Sequence, residues 1–163
     1  MCAEGARGEK MILPFPVKNK TVPFTFVGTF SPGSRPSGGT TAMLGTIEAG
    51  FPSPAEEELA DTLSLDEMLI QNREASFLLR VTGDSMTGAG ILPNDMVIVD
   101  RGQTPKSGDI VIAEVDGQWT MKYLRKRGDS VTLVPANPKY GPIKPKDELK
   151  IAGVVTAVVR KYK

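Results

Sequence analysis

The stretch "DIVIAEVDGQWTMKYLRKR" (Asp109 to Arg127) does most to determine the fold class of this chain. Two runs rich in β-branched and aromatic residues flank the dipeptide Asp116-Gly117. An Asp-Gly pair between two such runs is a strong local signal for a β-hairpin. We therefore expect two antiparallel strands joined by a tight turn at Asp116-Gly117.

Segments with the same composition lie on both sides of this hairpin. Gly, Pro, Asn and Asp separate them, as is typical of strands connected by turns. A second hairpin is indicated at Gly128-Asp129. The sequence thus predicts a mainly β fold, a compact antiparallel domain with further strands in "SFLLRV" (76–81), "MVIVD" (96–100), "SVTLVP" (130–135) and "IAGVVTAVVR" (151–160).

The residues before these strands favour short helices. Ser53 is a suitable N-cap, Pro54 takes the first helical position, and acidic residues fill the first turn. Ser64 and Glu67 form a second pattern of the capping-box kind. We expect two short N-terminal helical pieces. We also expect core contacts from their apolar side chains, Leu59 and Leu63 in the first piece and Leu65, Met68 and Leu69 in the second.

The first 49 residues differ from the rest. "TFSPGSRPSGGTTAMLG" (Thr29 to Gly45) has no sustained apolar period and cannot bury enough apolar surface to offset its ordering entropy. "TVPFTFVGTF" (Thr21 to Phe30) alternates enough to pair as a strand. We therefore expect a flexible N-terminal arm over residues 1–49 and a compact domain over residues 50–163.

Composition excludes several kinds of site. The chain of 163 residues has a net charge of +1, so direct DNA binding is not the default expectation. With no histidine and one cysteine (Cys2), it has no intrachain disulfide, no zinc site of the Cys and His kind and no histidine-based triad. We expect neither a metal nor another cofactor. No apolar run approaches the ~20 residues that span a bilayer, so we expect a cytoplasmic protein without membrane association.

A possible nucleophile and a possible base stand apart in sequence. Ser85 lies in the glycine-rich stretch "GDSMTGAG" (83–90), and Lys122 lies in the second strand of the hairpin. Loss of hydration would favour the neutral amine of Lys122, which could then accept a proton from a serine. The ordinary alternatives are a turn serine and a lysine that extends to water. These features alone leave both interpretations open.

A resemblance to a known family favours the first interpretation. The segments that carry it recur in order, and together they resemble the LexA/UmuD family of self-cleaving serine–lysine peptidases. The separations between Gly50, Ser85 and Lys122 agree with those in the UmuD branch of this family. UmuD is an accessory subunit of DNA polymerase V. The segments are "EAGFPSPAEEELADTLSLDEMLIQN" (48–72), "GDSM" (83–86), "SGDIVIAEVDGQWTMKYL" (107–124) and "LVPANPKYGPI" (133–143).

The resemblance implies a role for particular residues. Ser85 would be the nucleophile, Lys122 the general base, and Ala49–Gly50 the bond that is cut. Small side chains let such a bond enter a narrow cleft, and glycine accepts strained backbone conformations. A second Ala-Gly pair, Ala89–Gly90, lies too close to Ser85 in sequence to be an obvious substrate.

Supporting groups are also expected around the nucleophile. Backbone N–H groups of Asp84 and Ser85 are the candidates to stabilise an oxyanion. Thr120 shares a strand face with Lys122 and could hydrogen-bond its amine, although a plain strand threonine is the alternative. The Asp84 carboxylate is not expected to be a third catalytic group, because a carboxylate near Lys122 would keep that amine charged.

The resemblance further implies a DNA-damage (SOS) role. A RecA–single-stranded DNA filament would promote self-cleavage, and the truncated homodimer would join a UmuC-type DNA polymerase for error-prone translesion synthesis. The alternative is a LexA-like regulatory or anti-repressor binding module without its own DNA-binding domain, since residues 1–49 are too broken by proline and glycine for a winged helix-turn-helix. The arm is also longer than is usual in UmuD.

Two other functions fit the sequence less well. Signal peptidases also use serine and lysine, but the lack of an apolar spanning run argues against that activity. "KYLRKR" (122–127) could contact nucleic acid directly, although a basic strand end is more often a solvated rim.

Overall fold

The structure, a computed structural model, describes residues 24–29, 41–42 and 62–163. Within these ranges it contains nine strands, one α-helix and a 3-10 turn. The helix α1 is Leu65–Leu69 and the 3-10 turn is Thr87–Ala89. The strands are β1 (Phe24–Thr29), β2 (Thr41–Ala42), β3 (Thr62–Leu63), β4 (Ser76–Val81), β5 (Met96–Asp100), β6 (Ile110–Val115), β7 (Gln118–Arg127), β8 (Ser130–Val134) and β9 (Leu149–Val159).

Seven of these strands form one sheet in the order β1-β4-β5-β9-β6-β7-β8. Every neighbouring pair is antiparallel. The strands β2 and β3 pair separately. The mainly β fold is thus confirmed, and so are all six strand segments predicted between residues 76 and 160.

Both predicted hairpins are present. At Asp116 and Gly117 the backbone has φ of 47° and 76°, the left-handed values that a two-residue type I′ turn requires. The Asp116 carboxylate accepts backbone N–H groups of Asp147 and Glu148 at 3.1 Å each, which ties this turn to the start of β9. Gly128, with φ of 54°, turns the chain between β7 and β8.

The strand predicted near the N-terminus also forms. β1 pairs with β4 at one edge of the sheet, and Phe24 is buried with its ring edge-on to Trp119 at 6.4 Å. The predicted strand between Thr21 and Phe30 is therefore confirmed for the part that is described. The remainder of the predicted arm, apart from Thr41–Ala42, lies outside the described residues, so its flexibility stays a prediction.

The second predicted helical piece corresponds to α1. Ser64 caps it, since its Oγ accepts the backbone N–H of Glu67 at 3.5 Å. The expectation that Leu65 and Met68 contact the core is wrong, because their exposed fractions are 58% and 62%. A helix of five residues is too short to bury a continuous face, and burial falls instead on Ile70 at its end. The first predicted piece, starting at Ser53, lies outside the described residues except for its end, where Leu63 belongs to strand β3 and not to a helix.

The core holds the inner strands of the sheet and also the loop that follows β4. Met86 and Ile91 from that loop are buried against Phe77 and Leu79 of β4 and Met121 of β7. This packing brings the β4–β5 loop to β7, although the two are far apart in the strand order. Among the described residues no helix is long and apolar enough to cross a membrane, and no cluster of potential metal ligands occurs.

Candidate active site

Ser85 lies in the loop between β4 and β5. Two buried side chains, Met86 and Ile91, hold the loop in the core on the C-terminal side of the serine. The 3-10 turn Thr87–Ala89 lies between them and ends at Gly90, whose φ is 79°. The glycine spacing seen in the sequence therefore serves a tight turn that is anchored at both ends.

Lys122 lies in β7 and reaches Ser85. Its side chain is buried with 5% exposure, and its Nζ donates to Ser85 Oγ at 2.7 Å. It also donates to Thr120 Oγ1 at 2.8 Å and to the Met121 carbonyl at 3.0 Å. Thr120 and Lys122 face the same side of the strand, as expected from alternation. An ammonium group has three donors, and each has an acceptor here.

Burial controls the charge of this amine. Desolvation lowers the pKa of Lys122 from its ordinary 10.5 to about 8. An amine with a pKa near 8 is substantially neutral in mildly alkaline water and can accept a proton. The pair therefore has the distance and the electrostatics that a serine nucleophile and a lysine base need.

Asp84 is engaged elsewhere. Tyr140 donates its hydroxyl to Asp84 Oδ1 at 2.5 Å. Asn137 Nδ2 donates to the Asp84 carbonyl at 2.9 Å and, at 3.4 Å, to Oδ2. The Tyr140 hydrogen bond is the main cause that lowers the pKa of Asp84, and the same bond raises the pKa of Tyr140. The carboxylate is thus directed to Tyr140 and Asn137, and it is not among the acceptors of the Lys122 amine.

Asn137 and Tyr140 belong to a loop that runs from Ala136 to Tyr140, the 136–140 loop, which follows β8. Its backbone contacts the serine loop twice. The Ala136 N–H donates to the Ser85 carbonyl at 2.9 Å, and the Gly88 N–H donates to the Ala136 carbonyl at 2.7 Å. A Cβ added at Gly88 would lie 2.2 Å from the Ala136 oxygen, so only glycine fits this approach.

The sequence alone indicates no role for Asn137 or Tyr140. Both belong to the segment "LVPANPKYGPI", which contributed only to the resemblance. Their contacts with Asp84 span 53 and 56 residues, and no local pattern encodes such contacts. An Asn followed by Pro138 signals a turn, and that is the only local sign.

The structure brings Ser85, Lys122 and Thr120 together. Asp84 lies beside them with its side chain turned to the 136–140 loop. Ala49 and Gly50, the predicted cleavage site, lie outside the described residues.

Comparison with known proteins gives the family. Residues 42–156 match the sequence profile of the Peptidase S24-like family. Protein SamA of Salmonella typhimurium is 43% identical over 124 residues, which is 75% of this chain and 87% of SamA. The LexA repressor of Acidothermus cellulolyticus is 41% identical over 78% of this chain, and that of Carboxydothermus hydrogenoformans is 40% identical over 74%.

The chain spans 46% and 59% of the length of these two LexA repressors. The profile match covers most of the chain, from β2 to near the end of β9, and includes Ser85 and Lys122. The chain therefore belongs to the Peptidase S24-like family of self-cleaving serine peptidases.

Proposed function

We propose that this protein cuts its own Ala49–Gly50 bond, with Ser85 as the nucleophile and Lys122 as the general base. The observation that carries the proposal is the 2.7 Å contact between Lys122 Nζ and Ser85 Oγ at a buried position where the pKa of the lysine falls to about 8. Membership of a self-cleaving peptidase family supports the reaction class.

The reaction proceeds in two stages, acylation of Ser85 and hydrolysis of the resulting ester. Neutral Lys122 takes the proton of the Ser85 hydroxyl as the oxygen attacks the Ala49 carbonyl carbon. The lysine then gives that proton to the Gly50 nitrogen, the C–N bond breaks, and an ester joins Ala49 to Ser85. Water, deprotonated by Lys122, hydrolyses the ester and restores the serine. Thr120 orients the amine through its 2.8 Å hydrogen bond.

The tetrahedral intermediate needs donors for its oxyanion. We assign the Ser85 N–H as the first donor, because no backbone carbonyl in residues 24–29, 41–42 and 62–163 accepts it. The Asp84 N–H is the weaker of the two predicted candidates, since it interacts with the carboxylate of its own residue.

The cellular role that we propose is that of the UmuD branch. A RecA–single-stranded DNA filament would favour the conformation in which the arm occupies the site, a shift of population between states. The fragment from Gly50 to Lys163 would form a homodimer and join a UmuC-type polymerase in translesion synthesis. The resemblance of residues 48–72 to that branch supports this role.

Intact-mass measurement of the purified chain tests the proposal. Samples with and without RecA, single-stranded DNA and an ATP analogue are compared for the wild type, Ser85→Ala and Lys122→Ala. We expect a fragment that begins at Gly50 in the wild type alone, formed faster with the filament. Cleavage of the Ser85→Ala chain would show that a contaminating protease is responsible and would contradict the proposal.

A LexA-like binding module is the second candidate, because several relatives of this chain are LexA repressors. The same measurement separates the two. A chain that stays intact with the filament and at alkaline pH would favour a partner-binding role. A chain that cuts itself at alkaline pH but does not respond to the filament would retain the chemistry and exclude the damage-response trigger.

A further inference from the structure

The side chains of the 136–140 loop meet the residue that directly precedes the nucleophile. Asn137 bonds both the carbonyl and the carboxylate of Asp84, and Tyr140 bonds the other carboxylate oxygen. Three contacts thus fix one residue whose backbone leads straight into Ser85. We call Asp84, Asn137 and Tyr140 the Asp84 latch.

The latch is itself held in place. Asn137 is buried, with 8% of the residue exposed. Its Oδ1 accepts the Lys139 N–H at 3.0 Å, so the Nδ2 end of the amide faces Asp84. The Tyr140 N–H donates to the Asn137 carbonyl at 3.1 Å. Both side chains therefore come from one ordered turn, and they are directed at Asp84 together.

The two sides of Ser85 are then fixed by different means. After the serine, the backbone bonds to Ala136 and the buried Met86 hold the chain. Before it, the latch does so. The Ser85 hydroxyl must stay 2.7 Å from Lys122 Nζ, and an error of about 1 Å in such a geometry costs ~100-fold in rate.

We propose that Asn137 and Tyr140 are positioning residues for self-cleavage, and that both act on Ser85 through Asp84. This inference rests on the proposed function and extends it to groups that touch neither the substrate bond nor the lysine. Tyr140 is 46% exposed, so removal of its hydroxyl leaves core packing intact and tests position rather than stability.

Self-cleavage rates of four variants at alkaline pH test the latch. Tyr140→Phe and Asp84→Ala are each expected to slow cleavage by about 10-fold, below the ~100-fold cost of a full 1 Å error. The double variant should be no slower than Asp84→Ala, because the two groups form one interaction. The control Tyr123→Phe removes the hydroxyl of a tyrosine in β7 that is not part of the latch, and it should cleave like the wild type.

Three results would overturn the latch. They are a Tyr140→Phe rate equal to that of the wild type, losses that multiply in the double variant, and losses that match the unfolded fraction in thermal melts. Asn137→Ala removes both of its bonds to Asp84, so it should slow cleavage more than Tyr140→Phe while it remains folded by circular dichroism.

A second readout works whether or not the chain cuts itself. The titration of Lys122, followed by NMR of ¹³C-labelled lysine, should move to higher pH in Tyr140→Phe, because a looser serine loop admits water to the amine. Tyr123→Phe should leave it in place. An unchanged titration in Tyr140→Phe would overturn the latch. A shifted titration in a chain that never cleaves would show that the latch holds the serine loop over Lys122 although the proposed function fails, so the two failures are distinguishable.

Discussion

Lys122 is held where its charged form is least favoured. The amine is satisfied by three acceptors, Ser85, Thr120 and the Met121 carbonyl, yet all of them are neutral. Hydrogen bonds alone would favour the ammonium, but burial dominates and lowers the pKa to about 8. The same burial that lowers the pKa of Lys122 therefore costs the fold stability at neutral pH.

This cost predicts a stabilising substitution. Below pH 8 the folded chain must hold a buried charge, and between pH 8 and 10.5 the unfolded chain binds more protons, so stability rises with pH across that window. Lys122→Met should raise the free energy of unfolding at pH 7 by about 1–3 kcal/mol and remove that rise. Urea unfolding at pH 7 and pH 10 measures the free energy of unfolding and its change with pH. Every protein carries Ser85→Ala to prevent cleavage.

Lys106 is exposed, and Lys106→Met is the matched control. It should change neither the free energy of unfolding at pH 7 nor its rise with pH. If Lys122→Met were no more stable than its parent at pH 7, the burial of a costly charge would not be the cause of the lowered pKa. The role of Lys122 as a neutral base would then lose its physical basis.

At the scale of elements, the site is the contact between two loops and one strand. The serine loop crosses to β7 because Met86 is buried, and the 136–140 loop closes against it through Gly88. The close approach at Gly88 leaves no space for a side chain. A methyl group there would separate the loops and carry Ser85 away from Lys122.

Gly88→Ala is therefore expected to slow self-cleavage by ~100-fold and to destabilise the domain by about 1–3 kcal/mol. Gly141→Ala is the control, because a Cβ at Gly141 meets nothing within 4 Å. Cleavage at alkaline pH and thermal melts of both variants check this. A Gly88→Ala protein that cleaves at the wild-type rate would contradict the observed closure.

The strands could be predicted from sequence because their information is local. β-branched runs between turn residues define β4 to β9, and Asp116-Gly117 defines the hairpin that carries Lys122. The pairing of Ser85 with Lys122 was indicated by the family resemblance. The sequence does not predict the latch, because Asn137 and Tyr140 contact Asp84 across more than 50 residues. The expected core contacts of Leu65 do not form, because α1 is too short to bury a continuous face.

At the scale of the whole molecule, the chain end reaches back to the serine loop. Arg160, just after β9, forms a bidentate ion pair with Asp95, with hydrogen bonds of 2.6 and 2.7 Å. It also donates to the Gly90 carbonyl at 2.7 Å. Asp95 is buried with 2% exposure, and it also accepts the Leu92 N–H. The residue that follows β9 thus braces the C-terminal part of the serine loop.

Arg160→Ala should lower the melting temperature by several degrees, since it leaves a buried carboxylate without its cation. The Arg160 hydrogen bond is the main cause that lowers the pKa of Asp95, so this stabilisation is present above the ordinary value of 3.8 and is lost as pH falls through the lowered folded value. The variant should accordingly lose less stability in acid than the wild type. Thermal melts of both proteins at pH 7 and pH 3 measure these effects. If Arg160→Ala lowered the melting temperature equally at the two pH values, the account of this ion pair would be contradicted.

The most direct test of the central claim is the pH dependence of self-cleavage without a filament. The rate of appearance of the fragment that begins at Gly50 should rise about tenfold per pH unit in acid and level off above pH 8, where Lys122 becomes neutral. Ser85→Ala and Lys122→Ala should form no fragment at any pH. A rate that stays flat from pH 6 to 10, or a fragment formed without either residue, would contradict a reaction driven by Ser85 and neutral Lys122.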